Sequence, residues 1–493
     1  MNYDKASVGI YAEIFESIPE EMGFALERMS FSPNIKERRD YSCAMFDLEG
    51  SLVAQAAHIP VHLGAMEFLM KKWLSDGPIL KPGKFYISND PYFAGTHLPD
   101  ISVIAMAEHG YVACRAHHSD IGGDSPGSIG GTDIFSEGLV IAPQELTTEL
   151  AKAIAESSRA QEERLVDLEA QRASVSLGLK RFSETASKFG NRLGRLFAEA
   201  ATYSEESTRA ALRRIPVGSY EAQDALEDVG DAAIKVRIVI GRGEISFDFT
   251  GTDGQVPFGI NATEAVTRSA CYYLVRCLAP EAPTNAGCWA PVEVIAPKGS
   301  LVNAAFPAGV AAGNTETSQR IVDVLLQAMP GPMPACSQGT MNNVAFGGND
   351  WAYYETIGGG VGAGPSDDGA DAVHSHMTNT RNTPVEAIEI ELPLRVMQYE
   401  LRPEAGGSGK HRGGAGVVRA YQALEDGIVC TLMTDRRACG PPGGAKGQRG
   451  VPGCNTIARG SDLEILGSKA RIRLGRGDVV RLETPGGGGW GQN

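Results

Sequence analysis

No stretch of this sequence approaches the ~20 consecutive apolar residues that a membrane-spanning helix needs. The opening MNYDKASVGIYAEIFESIPEEMG has neither the basic nor the apolar region of a secretory signal. A cytoplasmic protein without a membrane partner is therefore expected. Positive charge is also short: 45 Lys and Arg stand against 60 Asp and Glu, a formal net charge of −15, which disfavours nucleic acid and anionic membrane as partners. The nine cysteines include no CxxC pair, so reduced thiols are expected, with neither a disulfide framework nor a zinc knuckle. Nucleotide and nucleophile signatures are missing too. Gly409-Lys410 ends like a phosphate loop, but the residue five before Gly409 is Glu404, and His411 follows the lysine where Ser or Thr is required. GGGVGAG at Gly358 to Gly364 follows no strand-to-helix transition, and GPPGGAKGQRGVPG keeps no three-residue period, so both read as loop. No GxSxG occurs, and Cys43, Cys288 and Cys439 have no histidine beside them, which leaves covalent catalysis little support.

What is present is metal-type chemistry, concentrated between Asn89 and Thr132. There His97, Asp100, His117, His118, Asp120 and Asp124 stand among glycines, prolines and short apolar runs. Ile101 to Ala107 and Tyr111 to Ala116 are β-prone runs around His109-Gly110 and read as a hairpin. A hairpin returns His97 and Asp100 to the same end as His117 and His118. Imidazole and carboxylate donors together suit zinc, manganese or iron better than calcium. The plainer alternative is one core and one surface histidine in the HH pair.

The 493 residues, 42% hydrophobic and 21% charged, make an ordinary globular composition with length for about two to four domains. Ile10, Ile14, Ile18 and Met22 recur every four residues and predict an amphipathic first helix. Tyr41 to Phe46 and Leu52 to Ala57 flank the turn Asp47-Leu48-Glu49-Gly50 as a second hairpin. The charged run Lys36 to Asp40 ahead of it reads as a solvated edge, with Asp40 kept as a further candidate ligand. His58 and His62 flank Pro60 in a tight connection. From Pro143 the composition turns helical: Leu146, Leu150 and Ile154 share one face and Leu168, Val175, Leu179 and Phe182 another. A helix from Leu193 to Arg214 follows, stopped by Pro216. Ala232 to Thr250 alternates as strands. A helix begins near Thr263, where exposed amides would hold an anion or Thr263 would cap. Ile321 to Met329 forms an apolar helix entered through polar Asn314 to Gln319, and Ile428 to Met433 and Ala470 to Leu474 are late strands. His374 and His376 would share one side of a strand, as metal ligands, a shell around the metal or a wet face, with Arg381 and Glu386 placed to orient a polar substrate. The expected fold class is mixed α+β and multidomain: a metal-bearing β-rich unit over 1–142, a helical insertion over 143–215, a central α/β unit over 216–345 and a β-rich unit over 346–493.

The pieces NIKERRDYSCAMFD, AHIPVHLGAM, NDPYFAGTHLPD, AHHSDIGGDSPGSIGG and EGLVIAP, in this order, resemble the B-type subunit of ATP-dependent hydantoinases. That family includes caprolactamase, the B half of 5-oxoprolinase and the large subunits of acetone and acetophenone carboxylases. The resemblance continues through GNTETSQRIVDVLLQA, HSHMTNTRNTPVEAIE, GGSGKHRGGAG and TPGGGGWG, so it covers nearly the whole chain. It implies a divalent metal, zinc or manganese with iron as the third choice, bound by His97, Asp100 and His117, with Asp40 near and His118 beside it. It also implies a hetero-oligomer in which an A-type partner uses ATP to phosphorylate the carbonyl of a small cyclic amide, and this chain then opens the ring. Asp120 or Asp124 would be the general base, and Asn314, Glu316, His374, His376 and Arg381 would line the substrate. The alternatives are a ketone carboxylase large subunit and a noncatalytic structural subunit. The chain's compact length favours the hydrolase over the carboxylase.

Overall fold

A computed structural model describes residues 4–230 and 232–492 of the protein. Its N-terminal half is organised on a six-stranded antiparallel sheet, ordered β2-β1-β5-β4-β3-β6. The strands are β1 (Tyr41–Phe46), β2 (Leu52–Ala57), β3 (Phe85–Ser88), β4 (Asp100–Ala107), β5 (Gly110–His117) and β6 (Gln144–Glu145). Both expected hairpins form, and the one made by β4 and β5 pairs Asp100 with His117 at its open end. Because side chains alternate along a strand, the two faces carry different sets. Cys43, Met45, Val103 and Cys114 pack under the helices Lys5–Met29, Gln161–Phe189 and Leu193–Leu212, which bury Phe15, Met22, Val175, Phe182 and Phe197. Ala44, Phe46, Ile104 and Ala113 pack against Met66, Leu69, Met70 and Trp73 of the helix Ala65–Asp76. Asp40, Asp100 and His117 continue this second face to the sheet end.

The first helix forms, but its buried stripe is Phe15, Ile18, Met22 and Leu26, and Ile10 is 61% exposed. A strict four-residue spacing drifts about 40° per step around a helix of 3.6 residues per turn, so Ile10 rotates out of the seam. Leu146 lies outside the helix Thr148–Ser157, which starts after it, whereas Ile154 is buried inside. The charged run is no solvated edge: Arg38 and Asp40 are buried. Arg38 donates to Asn34, the Tyr354 carbonyl and the Thr356 and Thr380 hydroxyls. All but the first come from more than 300 residues away, so no local pattern announces them.

A second sheet, ordered β10-β9-β8-β7, consists of β7 (Gly218–Ala225), β8 (Ala233–Ile240), β9 (Ile245–Asp248) and β10 (Val292–Ile295). It buries Ile234, Val236, Ile238 and Phe247 against the helices Glu264–Leu278 and Ser318–Ala328. Thr263 accepts from the Val266 amide and so caps the first of these, the structural alternative to an anion site. The C-terminal part holds β11 (Asn343–Gly347), β12 (Ala352–Glu355), β13 (Leu394–Arg402), β14 (Gly416–Ala423), β15 (Ile428–Met433), β16 (Cys454–Arg459), β17 (Asp462–Leu466), β18 (Lys469–Leu474) and β19 (Val479–Glu483). They form the sheets β12-β11-β15-β18 and β13-β14-β19-β16-β17 around one shared core that includes Phe346, Tyr421, Leu432 and Leu482. The architecture is mixed α and β, as expected.

The glycine-rich segments read as loops are packed backbone to backbone. The Gly487 amide donates to the Gly414 carbonyl at 3.0 Å, Gly414 to Val361 at 2.8 Å, Gly407 to Gly487 at 2.9 Å and Gly489 to Gln448 at 2.9 Å. A Cβ on Gly360 would stand 2.1 Å from both the Gly414 oxygen and the Gly487 nitrogen, so no residue with a side chain fits there. The closing TPGGGGWG is therefore an internal part threaded between three other segments.

Candidate metal centre

The turn His97-Leu98-Pro99-Asp100 closes with the Asp100 amide donating to the His97 carbonyl at 3.1 Å, which folds both side chains to one place. Across the hairpin stands His117. His97 Nε2 lies 3.1 Å from His117 Nδ1 and 3.3 Å from Asp100 Oδ1, and His117 Nδ1 is 3.5 Å from the same oxygen. All three residues are buried. Donors about 2.1 Å from one first-row ion lie roughly 3.0–3.4 Å from each other, and two of the three separations fall in that range, the third 0.1 Å beyond it. Asp100 Oδ1 and His117 Nε2 have no hydrogen-bond partner. Two imidazoles and a carboxylate converging without a cation among them fit a divalent transition ion.

The surroundings fix each donor. His97 Nδ1 is 3.3 Å from the Ala311 carbonyl, so that nitrogen carries the proton and Nε2 keeps its lone pair for the cup. Asp100 Oδ2 is held by Thr96 Oγ1 at 2.5 Å and by His62 Nε2 at 3.2 Å, and His62 Nδ1 meets Ser42 at 2.9 Å. The ring of His117 stacks on Tyr354 at 5.0 Å, and the Arg38 guanidinium sits 5.1 Å from the centroid of that tyrosine. Burial opposes charge on His97, but Asp100 beside it outweighs burial and raises its pKa. Burial also opposes the Asp100 carboxylate, yet His97 and His62 hold its pKa well below the usual range. Burial lowers His117.

A cavity of about 20 Å³ opens beside the cup, lined among others by Asp40, His97, His117, Asn314, Tyr354 and Thr380; it has room for about one water or ion. Asn314 Nδ2 is 3.3 Å from His97 Nε2, across 217 positions of sequence. Asn314 reaches it from a π-helical turn, Gly313–Thr317, at the start of the polar helix entrance. Gly313 is required there, since a Cβ would stand 1.8 Å from the Asn261 oxygen. Glu316, on the same turn, is buried and accepts from the Met341 amide and Asn343 Nδ2, both at 3.2 Å. Burial pushes its pKa up to about 7.

The structure thus brings together His97, Asp100, His117, Asp40 and Asn314, but not the other candidates. His118 points to the opposite face, because neighbours on a strand alternate. Its Nε2 meets Gln171 Oε1 at 2.9 Å and its Nδ1 meets Arg164, and burial with that guanidinium keeps it neutral. Asp120 is tied to Arg159 at 2.7 Å and to the Gly122 and Arg159 amides, and Asp124 is exposed; neither lines the cavity. His374 and His376 lie on no strand, and His376 has φ +55°, so the two-residue period does not apply. His376 Nδ1 meets Tyr273 at 3.3 Å. Burial, helped by Arg38, lowers His374 to about 4. Arg381 is exposed, and its backbone serves Arg38. Tyr354 had no signal in the sequence, and Glu137 opens the motif EGLVIAP without a role being read from it.

The hydantoinase B/oxoprolinase family model matches residues 4–493. 5-Oxoprolinase 1 of Arabidopsis thaliana is 37% identical over 99% of this chain and 42% of its own length. The chain thus spans about two fifths of that relative. A protein of a Pseudomonas species, provisionally named as the B-type subunit of a D-/L-hydantoinase, is 30% identical over 99% of this chain and 90% of its own. The crystal structure of the ATP-dependent caprolactamase of Pseudomonas jessenii superimposes with a TM-score of 0.90 at 25% identity, covering 100% of this chain and 92% of that one.

Proposed function

The chain belongs to the hydantoinase B/oxoprolinase family, and from that premise we propose that it is the ring-opening subunit of an ATP-dependent cyclic amide hydrolase. The observation that carries this reading is the buried cup of His97, Asp100 and His117 in a chain of this family. The substrate is a hydantoin or lactam. An A-type partner phosphorylates the ring carbonyl oxygen with ATP, which gives a resonance-protected carbon a good leaving group.

Each residue then has a task. His97, Asp100 and His117 hold a divalent transition metal, zinc or manganese, with Asp40 on the cavity wall as a fourth donor. Such an ion supplies Lewis acidity to the hydrolytic step. Thr96 and His62 hold the second oxygen of Asp100 so that the first faces the cup. Tyr354 buttresses the His117 ring, and Asn314 presents its carboxamide beside His97, where it can orient a ring amide. Burial of all these groups strengthens their electrostatic effect on the substrate.

The test is metal analysis of wild type, His97→Ala and His117→Ala, followed by assays with the A-type partner, ATP, hydantoins and lactams. Near-stoichiometric metal and ATP-dependent ring opening in the wild type, both lost in the variants, is the expected result. Variants that keep full activity in the complex would make the chain a structural subunit. Turnover of ketones with bicarbonate in place of cyclic amides would make it a carboxylase subunit.

A further inference from the structure

Glu137 is a carboxylate buried to 1% exposure, on the helical turn Ile134–Glu137. Its Oε2 accepts from the Val310 amide and its Oε1 from the Ala311 amide, each at 3.0 Å. Backbone closes around it: a Cβ on Gly259 would stand 2.5 Å from Oε1 and one on Gly309 2.7 Å from it, and one on Gly131 would stand 2.8 Å from Cγ. On the other side of the same residue, the Ala311 carbonyl receives His97 Nδ1 at 3.3 Å.

We propose that Glu137 is a positioning residue of the metal centre, acting through Ala311 to hold His97 with its Nε2 lone pair in the cup. This rests on the proposed function only in taking the cup as a metal site. Burial pushes the Glu137 carboxyl up to about 8 while the Ala311 and Val310 amides oppose the rise, so what marks this residue is geometry: two backbone amides aimed at its two oxygens in a backbone cage with no room to turn. Both Glu137 oxygens act as acceptors, so each of two successive amides is engaged, and the next peptide plane, which carries the Ala311 carbonyl, is held facing His97 by the Ala312 amide donating to the Gly259 carbonyl at 2.7 Å. The backbone between them carries the influence: the Glu137 bonds fix the segment, the carbonyl fixes the tautomer, and the tautomer decides which nitrogen faces the ion. Glutamine cannot replace the carboxylate, because its amide nitrogen would face a backbone N–H.

The experiment compares wild type, Glu137→Gln and Glu137→Ala after chelation, titrating zinc and cobalt(II) by calorimetry and recording the visible spectrum of the cobalt forms. The expected result for Glu137→Gln is roughly 10-fold weaker metal binding, up to about 100-fold for Glu137→Ala. Shifted cobalt bands and a metal-free unfolding midpoint close to wild type should accompany it. If the alanine variant does not fold, the glutamine variant carries the test. Wild-type affinity and an unchanged cobalt spectrum in Glu137→Gln would overturn the inference alone and leave Glu137 as a loop tie. A folded wild type that binds neither ion would overturn both the inference and the metal reading.

Discussion

Two buried clusters of charge in this molecule are built on opposite plans. Around Asp323 and Asp435 every carboxylate has a cation: Arg320 meets Asp435 at 2.9 Å, Arg436 meets Asp323 at 2.8 Å and Asp224 at 2.6 Å, and Lys469 meets Asp435 at 3.4 Å. The His97, Asp100 and His117 cup gathers three possible ligand atoms, with no Lys or Arg among the three residues. The first cluster is electrically complete and ties β7, the helix Ser318–Ala328 and the segment after β15 together. The second has no Lys or Arg, only histidines, beside its carboxylate, and is the candidate for a cation from outside the chain. Burial is common to both, so burial does not distinguish a structural ion cluster from a site; the presence or lack of a built-in counter-charge does.

The sharpest way to break this comparison is to remove one carboxylate from each cluster. Asp435→Ala removes the nearest carboxylate of buried Arg320 and the partner of Lys469 and should cost about 3–5 kcal/mol in urea unfolding, with metal content kept. Asp100→Ala should lose essentially all bound metal by elemental analysis, a loss that Asp435→Ala does not show. The reverse pattern would mean the roles are exchanged.

A smaller effect is expected at His62, which touches the cup only through Asp100. His62→Ala should weaken metal binding by about 10-fold to 100-fold, leaving stoichiometry at saturation unchanged. Calorimetric titration reads both, and unchanged affinity would remove His62 from the centre.

The smallest effect concerns His374, a half-buried residue outside the cup. The pKa of His374 is lowered to about 4 in the fold, against about 6.5 in an unfolded chain. The unfolded state takes up the proton first, so its stability contribution is present above pH 6.5 and is lost as pH falls towards 4. His374→Gln should therefore lose less stability than wild type between pH 6.5 and pH 4, measured as urea midpoints. Parallel midpoints for the two proteins across that window would place His374 in water in the fold.

Local pattern carried a good part of this structure. Both hairpins, the long helices and the strands Ile428–Met433 and Lys469–Leu474 were legible because a period of two or of 3.6 lies in consecutive residues. Partners from distant sequence were not legible. Arg38 read as surface because Tyr354, Thr356 and Thr380 arrive from the other end of the chain. His374 and His376 read as strand neighbours because spacing alone does not reveal the positive φ of His376. The glycine runs read as loop because a residue without a side chain leaves no hydrophobic pattern even where its backbone is packed against others.

The candidate metal centre divides along the same line. By itself, the sequence determined the donor types, the hairpin that returns them to one end, and the rule that only one of His117 and His118 faces any given side. Tertiary structure decided which one. The helix Gln161–Phe189 covers the face that holds His118 and engages it through Gln171, while the other face, continuing past Ser42, receives His62 and the Asn314 turn. The choice between two adjacent histidines depends on which side of the sheet each long-range partner packs, and side-chain alternation along a strand is the same whichever side that is.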